Sequence, residues 1–250
     1  MKNRNRPTLL SLLLLVLLAL PTVALAQGPE RETTPTRGLG VGVLLHSYGF
    51  GFDVQYYLLR DAGKVITIST SLSSYKHPRE LKQESAYADQ GGKDYIWGKR
   101  NYGYVLAPTV GFGKDLIGRS SFNKINLRGT FALGPALAFL KPYYLEVAIP
   151  IGGNQAFVDI DQFDPAVYNY TNIVGEADYF IGMNEMTVTP GLQGRAAVML
   201  DFAGQRDVIR GIEIAVFGNY FTRPLHLMEL TPNKQFWLGG SIEFIIGNTW

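Results

Sequence analysis

The chain has 250 residues, no cysteine and a formal net charge of only +2 at pH 7. Disulfides therefore cannot stabilise it, and so small a charge gives no reason to expect a nucleic-acid partner. Its 28 glycines, 14 tyrosines and 14 phenylalanines are typical of a β-rich protein.

The first 26 residues have the three parts of a secretory signal peptide. Basic residues precede an apolar run over 9–20, and Ala24-Leu25-Ala26 marks the expected cleavage site. The apolar run is shorter than the ~20 residues of a membrane-spanning helix, so we expect cleavage after 1–26 and no anchor. Residues 27–37 are then an N-terminal stub before a domain over 38–250.

Strict alternation of apolar with small or polar side chains predicts β-strands, because successive side chains on a strand point to opposite faces. In the segment 124–139, Phe131 and Leu133 lie on one face, and Arg128 and Ala132 on the other. No apolar run beyond the signal region reaches the length of a membrane helix. Eight strands are predicted, at about 39–47, 50–60, 64–74, 100–113, 124–139, 185–202, 208–222 and 235–247.

The predicted connections alternate between the two ends of the barrel: those at one end are short, and three of the four at the other end are long. The short ones are Asp61-Ala62-Gly63, about 114–123 and about 203–207, and the others are about 48–49, 75–99, 140–184 and 223–234. Short periplasmic turns and longer outside loops are typical of barrels that cross the outer membrane. We therefore predict a closed, antiparallel, transmembrane β-barrel of about eight strands with both termini in the periplasm. Its expected partners are outer-membrane lipid and, during insertion, the barrel-assembly machinery.

Alternation alone does not say which face is inside, since a soluble barrel of the lipocalin type encloses its apolar face. The other face here carries glycine, alanine and mixed charges, which suit a narrow interior. Buried charges need partners, so we expect an internal network that plugs the lumen. Its members are Asp53, Arg128, Arg195, Glu213 and Glu243.

Aromatic residues near the predicted strand ends are expected to form a girdle at the membrane interfaces. They are Tyr56, Tyr57, Tyr102, Tyr104, Tyr220 and Trp237.

The end of the chain resembles the C-terminal signal by which outer-membrane barrels are recognised for assembly. The matching residues are Gly239, Ile242, Phe244 and the terminal Trp250. Leu238 departs from that signal, because a polar residue is common at its position. The segments 76–80 (KHPRE) and 139–144 (FLKPYY) resemble uncharacterised small outer-membrane barrels of the Bacteroidota. The resemblance implies a Gram-negative outer-membrane protein and no specific function.

Candidate chemistry is sparse. His46 lies near the rim at the end of the first strand, and some small outer-membrane barrels use a His with a Ser and a carboxylate for lipid chemistry. No such companions follow His46 at strand spacing. Asp159, Asp161 and Asp164 could offer oxygen ligands to Ca²⁺, but the segment lacks the glycine and distal glutamate of the usual calcium loop. We expect a solvated acidic loop and no cofactor, with a metal site as the weaker alternative.

The long outside loops are where the sequence places function, since long loops on a rigid scaffold are commonly functional. The favoured hypothesis is a non-enzymatic barrel that binds a partner through these loops. One specific form is an accessory subunit of an export or assembly complex, with other outer-membrane proteins as partners. The alternatives are a channel for small solutes, a lipid-modifying enzyme and a soluble periplasmic barrel.

Overall fold

The computed structural model describes residues 36–60, 63–117, 125–152, 155–203 and 207–250. The expected signal peptide, and all but the end of the expected stub, lie outside these residues. Within them, no helix is long and apolar enough to cross a membrane.

The described residues are mostly β-strands. In chain order these are β1 (Arg37–His46), β2 (Gly49–Leu59), β3 (Lys64–Tyr75), β4 (Lys82–Gln83), β5 (Tyr95–Ile96), β6 (Asn101–Ile117), β7 (Asn126–Pro142), β8 (Tyr144–Gly152), β9 (Gln155–Gln162), β10 (Ile173–Glu176), β11 (Thr187–Asp201), β12 (Val208–Leu225) and β13 (Lys234–Thr249). Short 3₁₀ helices cover Ala88–Gln90 and Met183–Glu185.

Eight of these strands form a closed antiparallel barrel in the order β1-β13-β12-β11-β7-β6-β3-β2. The prediction of an eight-stranded antiparallel barrel is confirmed. Strand β1 pairs with β13 along its length, from Gly38 opposite Thr249 to His46 opposite Ser241. Among the barrel strands, the largest difference between a predicted and an observed bound is at the end of β6. This strand was predicted to end near residue 113, but it extends to Ile117, with an irregularity in its pairing between Asp115 and Ile117.

The apolar face of the barrel points outward. On β2, Phe52 and Val54 are exposed, whereas Asp53 and Gln55 between them are buried. The same pattern holds on β7, where Phe131 is exposed and its neighbour Ala132 is buried. This orientation is opposite to that of a soluble lipocalin-type barrel, and it places small and charged residues in the narrow interior.

The expected girdle is wrong for two of its residues. Tyr57 and Trp237 are only 2% and 3% exposed and belong to buried clusters inside the barrel. Residues an even number of positions apart on a strand face the same side. Tyr57 and Trp237 are each at such a spacing from inward-facing residues of their own strands, so both side chains point inward. Tyr220 is exposed. Tyr102 is half-buried against the cluster described next.

The two long connections fold into a module with its own core. We call residues 76–100 and 143–186 the loop module. Strands β8, β9 and β10 form a sheet in the order β10-β8-β9, and β4 pairs with β5. Buried side chains from both connections form its core: Tyr95, Tyr143, Leu145, Val147, Phe163 and Ile173. The sequence predicted loops here, and the structure shows ordered sheet.

Candidate functional site

Arg195 lies at the centre of a charge cluster inside the barrel. Its Nη2 is 2.7 Å from Glu213 Oε1 and 2.7 Å from Glu243 Oε2, and its Nη1 is 3.6 Å from Asp53 Oδ2. The side-chain amide of Gln55 donates to Asp53 at 2.8 Å and to Glu243 at 2.9 Å. We call these five residues the interior cluster. One guanidinium and one amide thus hold three buried carboxylates together.

Strand register explains how the interior cluster forms. Glu213 and Glu243 lie directly opposite each other on β12 and β13, and Asp53 lies opposite Gly42 on β1. A Cβ atom built on Gly42 would approach Glu243 Cδ to 2.9 Å. Gly42 therefore leaves the space that the Glu243 side chain occupies. Arg195 enters from β11 and has to neutralise carboxylates from three other strands.

Arg128, which the sequence placed in the same network, forms its ion pair with Asp115 and not with a carboxylate of the interior cluster. Its Nε donates to Asp115 at 2.8 Å, and its guanidinium carbon lies 5.5 Å from the centre of the Tyr57 ring. Tyr57 in turn donates to Gln55 at 2.7 Å, so the two groups are linked through one tyrosine. Asp115 was missed because the sequence ended β6 before it. Extending the strand by two residues would have placed it opposite Arg128.

Aromatic side chains fill the interior toward the end that carries the long loops. Tyr75, Phe217 and Trp237 are buried together there, and Tyr48 packs against them. The ring of His46 lies 5.1 Å from that of Tyr75, and its Nδ1 accepts the backbone N–H of Tyr48 at 3.3 Å. Among the described residues, no carboxylate forms a hydrogen bond or ion pair with His46. The structure therefore does not bring together a catalytic set around it.

A buried ion pair holds the loop module together. Lys99 Nζ is 2.6 Å from Glu80 Oε2, and both side chains are almost completely buried. The ammonium also lies 4.1 Å from the centre of the Tyr102 ring, and Tyr102 donates a hydrogen bond to Glu176. Burial lowers the pKa of Lys99, and the Glu80 carboxylate opposes that shift. Sequence spacing gave no sign of this pair, because its partners meet only when the module folds.

The outer surface of the loop module exposes large apolar side chains. Phe180 is 74% exposed, and Tyr170 stacks on Trp97 with ring centres 4.1 Å apart while remaining exposed itself. Other exposed apolar residues of the module include Leu81, Ile149, Phe157, Val158, Ile160 and Val167. We call this set the apolar loop surface.

The three candidate metal ligands make local hydrogen bonds instead of meeting around a common point. Asp159 and Asp161 accept the backbone N–H groups of Ile160 and Gln162 at 2.8 and 2.7 Å, and Asp164 accepts that of Ala166. No group of three or more His, Asp or Glu side chains among the described residues could hold a metal ion. Strand β9 is an edge strand, and edges expose N–H groups without a ladder partner. The first two carboxylates therefore occupy donors that another strand would need.

The residues of the expected assembly signal lie on β13 and at the chain end. Ile242 and Phe244 face outward and are exposed, and Gly239 packs near Phe217. The carbonyl of Trp250 accepts the backbone N–H of Arg37 at 3.0 Å, while its own N–H donates to the Arg37 carbonyl at 2.9 Å. Trp250 thereby extends the seam that closes the barrel. Its recognition during assembly stays a prediction.

Comparisons with known proteins give no sequence relative. No protein-family model matches the chain, and no curated protein matches it in sequence. Several solved structures are similar in shape. One is Neisserial surface protein A, which is 9% identical, with a TM-score of 0.40; the match covers 86% of this chain and 96% of that one. Another is the N-terminal β-barrel domain of Pseudomonas aeruginosa OprF, which is 10% identical, with a TM-score of 0.40; the match covers 83% of this chain and 96% of that one. A third is Ail, the attachment invasion locus protein of Yersinia pestis, in complex with the heparin analogue sucrose octasulfate. It is 8% identical, with a TM-score of 0.40, and the match covers 86% of this chain and 96% of that one.

Proposed function

We propose that this chain is a non-enzymatic integral barrel of the bacterial outer membrane that binds a partner through its loop module. The observation that carries the membrane assignment is the exterior of the barrel, because every one of its eight strands exposes large apolar side chains. Contiguous apolar surface of that extent is rare on soluble monomers, and an outward apolar band is what a membrane barrel presents to lipid.

The orientation follows from the connections. Both ends of the described chain lie at one end of the barrel, together with the last residues of β2, β6 and β11, and the loop module and the tight β1–β2 turn lie at the other. Outer-membrane barrels have short periplasmic turns and long outside loops. We infer that both termini face the periplasm and that the loop module faces outward.

A closed lumen distinguishes this proposal from the small-solute channel. The interior cluster and the aromatic residues around Tyr75 and Trp237 support closure. Two cavities lined in part by Arg195 have volumes of only about 20 Å³ each. A cavity needs roughly 10–15 Å³ to hold one water molecule, so each has room for about one. Solutes larger than water would have to displace Arg195 and its partners.

The apolar loop surface is the proposed binding surface. Lipid does not cover the loop module in this orientation, yet Phe180 and Tyr170 are exposed there. Aromatic side chains are enriched where proteins bind each other. A second outer-membrane protein is the partner class that this surface fits, in agreement with an accessory role in an export or assembly complex.

Insertion and closure can be tested with the refolded protein. We expect the folded barrel to partition into phospholipid vesicles, to show heat-modifiable gel mobility and to give no stable conductance in planar bilayers. A large, stable conductance would reject the closed lumen. Failure to insert would reject the membrane assignment itself.

Partner binding can be tested by purification from the native outer membrane in mild detergent. We expect proteins that co-purify with the wild type to be lost from a Phe180→Ser/Phe157→Ser variant. Gln90→Ser, at an exposed polar position of the same module, is the matched control. Identical co-purification by all three proteins would reject the apolar loop surface as the binding site.

A further inference from the structure

An apolar groove of about 720 Å³ crosses the outward face of the barrel over β3, β6, β7, β11 and β12. Two outward-facing rows of residues define it through the strand register. One row contains Phe112, Phe131, Ala196 and Val216, and the other contains Lys64, Lys114, Gly129, Val198 and Ile214. Gly129 and Ala196 form the low floor of the groove, and the larger apolar side chains rise on both sides of it.

The groove is open because Gly129 has no side chain. A Cβ atom built at this position would meet nothing closer than Leu116, at 3.6 Å. Neither packing nor a left-handed backbone requires glycine there. Most other outward-facing positions of the barrel strands carry larger side chains, so few openings of this kind interrupt the apolar exterior.

Two lysines lie at one end of the groove. Lys64 and Lys114 are directly opposite each other on β3 and β6, and both are exposed. Like charges at facing positions of a strand pair destabilise it. Neither side chain has an ion-pair partner among the described residues.

In the part of the chain that the structure describes, no carboxylate of the barrel strands lies on the outward face, where it could neutralise the charge of these lysines. The carboxylates of these strands all lie on the inward face: Asp53, Asp115, Asp201, Glu213 and Glu243. The outward face near the groove is therefore cationic at one end and apolar along its length. A ligand that complements it has an anionic head and an apolar chain.

We propose that this groove is a binding site for an anionic phospholipid. The phosphate lies between the ammonium groups of Lys64 and Lys114, and one acyl chain lies over Gly129 and Ala196. This inference rests on the proposed function, since the short-turn end then faces the periplasmic leaflet, which consists of phospholipid. A lipid explains both halves of the site, whereas a soluble anion would leave the apolar groove empty.

The test counts the lipids bound to the refolded barrel by native mass spectrometry. The detergent-solubilised protein is titrated with phosphatidylglycerol or with phosphatidylcholine of the same acyl chains. We expect the wild type to retain phosphatidylglycerol about tenfold better. Lys64→Gln/Lys114→Gln should abolish this preference, and Gly129→Leu should weaken the retention of both lipids about tenfold by filling the groove.

Two variants serve as controls because they make the same kinds of change, loss of an exposed cation and replacement of glycine by leucine, outside the groove. Arg210→Gln removes one exposed cation of a different strand, β12. Gly240→Leu fills a position on β13 whose built Cβ meets nothing closer than 3.8 Å. Both should bind phosphatidylglycerol as the wild type does.

Three results would overturn the proposal: equal retention of the two lipids by the wild type, unchanged retention by the groove variants, or a second copy of the chain bound in place of lipid. Vesicle insertion of every variant is measured in parallel by gel mobility. If all variants insert without a lipid preference, the lipid site fails and the membrane assignment stands. If the wild type does not insert, both fail.

Discussion

Replacing Arg195 by methionine should destabilise the barrel strongly. Methionine is of similar length but cannot pair with a carboxylate, so two contacts of 2.7 Å and one of 3.6 Å disappear. Three carboxylates from Asp53, Glu213 and Glu243 then remain in the interior, and the amide of Gln55 is the only donor of the cluster left to two of them.

The magnitude follows from the burial of the cluster. Removing one partner of a buried ion pair typically costs about 3–5 kcal/mol, because the other charge stays buried and unpaired. Asp53 and Glu243 have fully buried side chains, so the cost should lie in the upper half of that range. The pair Arg100–Glu229 is the control, with side chains 42% and 37% exposed. Arg100→Met should cost no more than about 1 kcal/mol.

Urea unfolding of the barrel in phospholipid vesicles, followed by tryptophan fluorescence, measures both variants against the wild type. The triple variant Arg195→Met/Glu213→Gln/Glu243→Gln separates the effect of unpaired charge from the effect of changed side-chain shape. It removes two of the three unpaired carboxylates and should recover at least half of the lost free energy of unfolding. If Arg195→Met costs as little as Arg100→Met, or if compensation recovers nothing, the interior cluster does not stabilise the barrel as argued.

Three further predictions concern Gly42, Tyr168 and the edge strand β9. Gly42→Leu places a side chain where Glu243 lies, and it should reduce the yield of heat-modifiable folded barrel severalfold. A hydrogen bond to Asp161 raises the pKa of Tyr168 to about 12. Because the pKa of Tyr168 in the folded protein exceeds that in the unfolded chain, its hydrogen bond stabilises the fold below about pH 10, and this stabilisation is lost as the pH rises through about 12. Asp161→Asn should lower the pKa of Tyr168, measured by an absorbance titration in which Tyr168→Phe identifies its signal. Asp159→Ala/Asp161→Ala frees two N–H groups of edge strand β9 and should increase self-association in light scattering, whereas an unchanged mass would contradict their role at the edge.

The barrel could be predicted from the sequence because one physical rule governs all eight of its strands. An exterior that is apolar and an interior that is too narrow for large side chains impose a period of two on every strand. The rule also gives the face of each residue, and Asp53 and Arg195 lie on the inward face that it gives them. It failed for Tyr57 and Trp237 only where position near a strand end was given more weight than the alternation.

The partners of the buried charges could not be predicted in the same way. Which carboxylate meets which guanidinium depends on strand register and on strand length, and the sequence ended β6 two residues before Asp115. The fold of the loop module could not be predicted at all. Its central pair, Lys99 and Glu80, is surrounded by tyrosines from the next connection and from β6, and no periodicity marks contacts between separate loops.

The sorting of charges between the two faces of the barrel has one consequence for anions. Inside, one guanidinium of Arg195 faces three carboxylates, so an anion that entered the lumen would meet excess negative charge. Outside, Lys64 and Lys114 face no carboxylate of the barrel strands. The same arrangement therefore opposes anion passage through the barrel and favours an anionic headgroup on its exterior. Moving the charges of one strand to its opposite face should weaken both electrostatic effects together, so the proposed closed lumen and the proposed lipid site depend on the same arrangement of charges without touching each other.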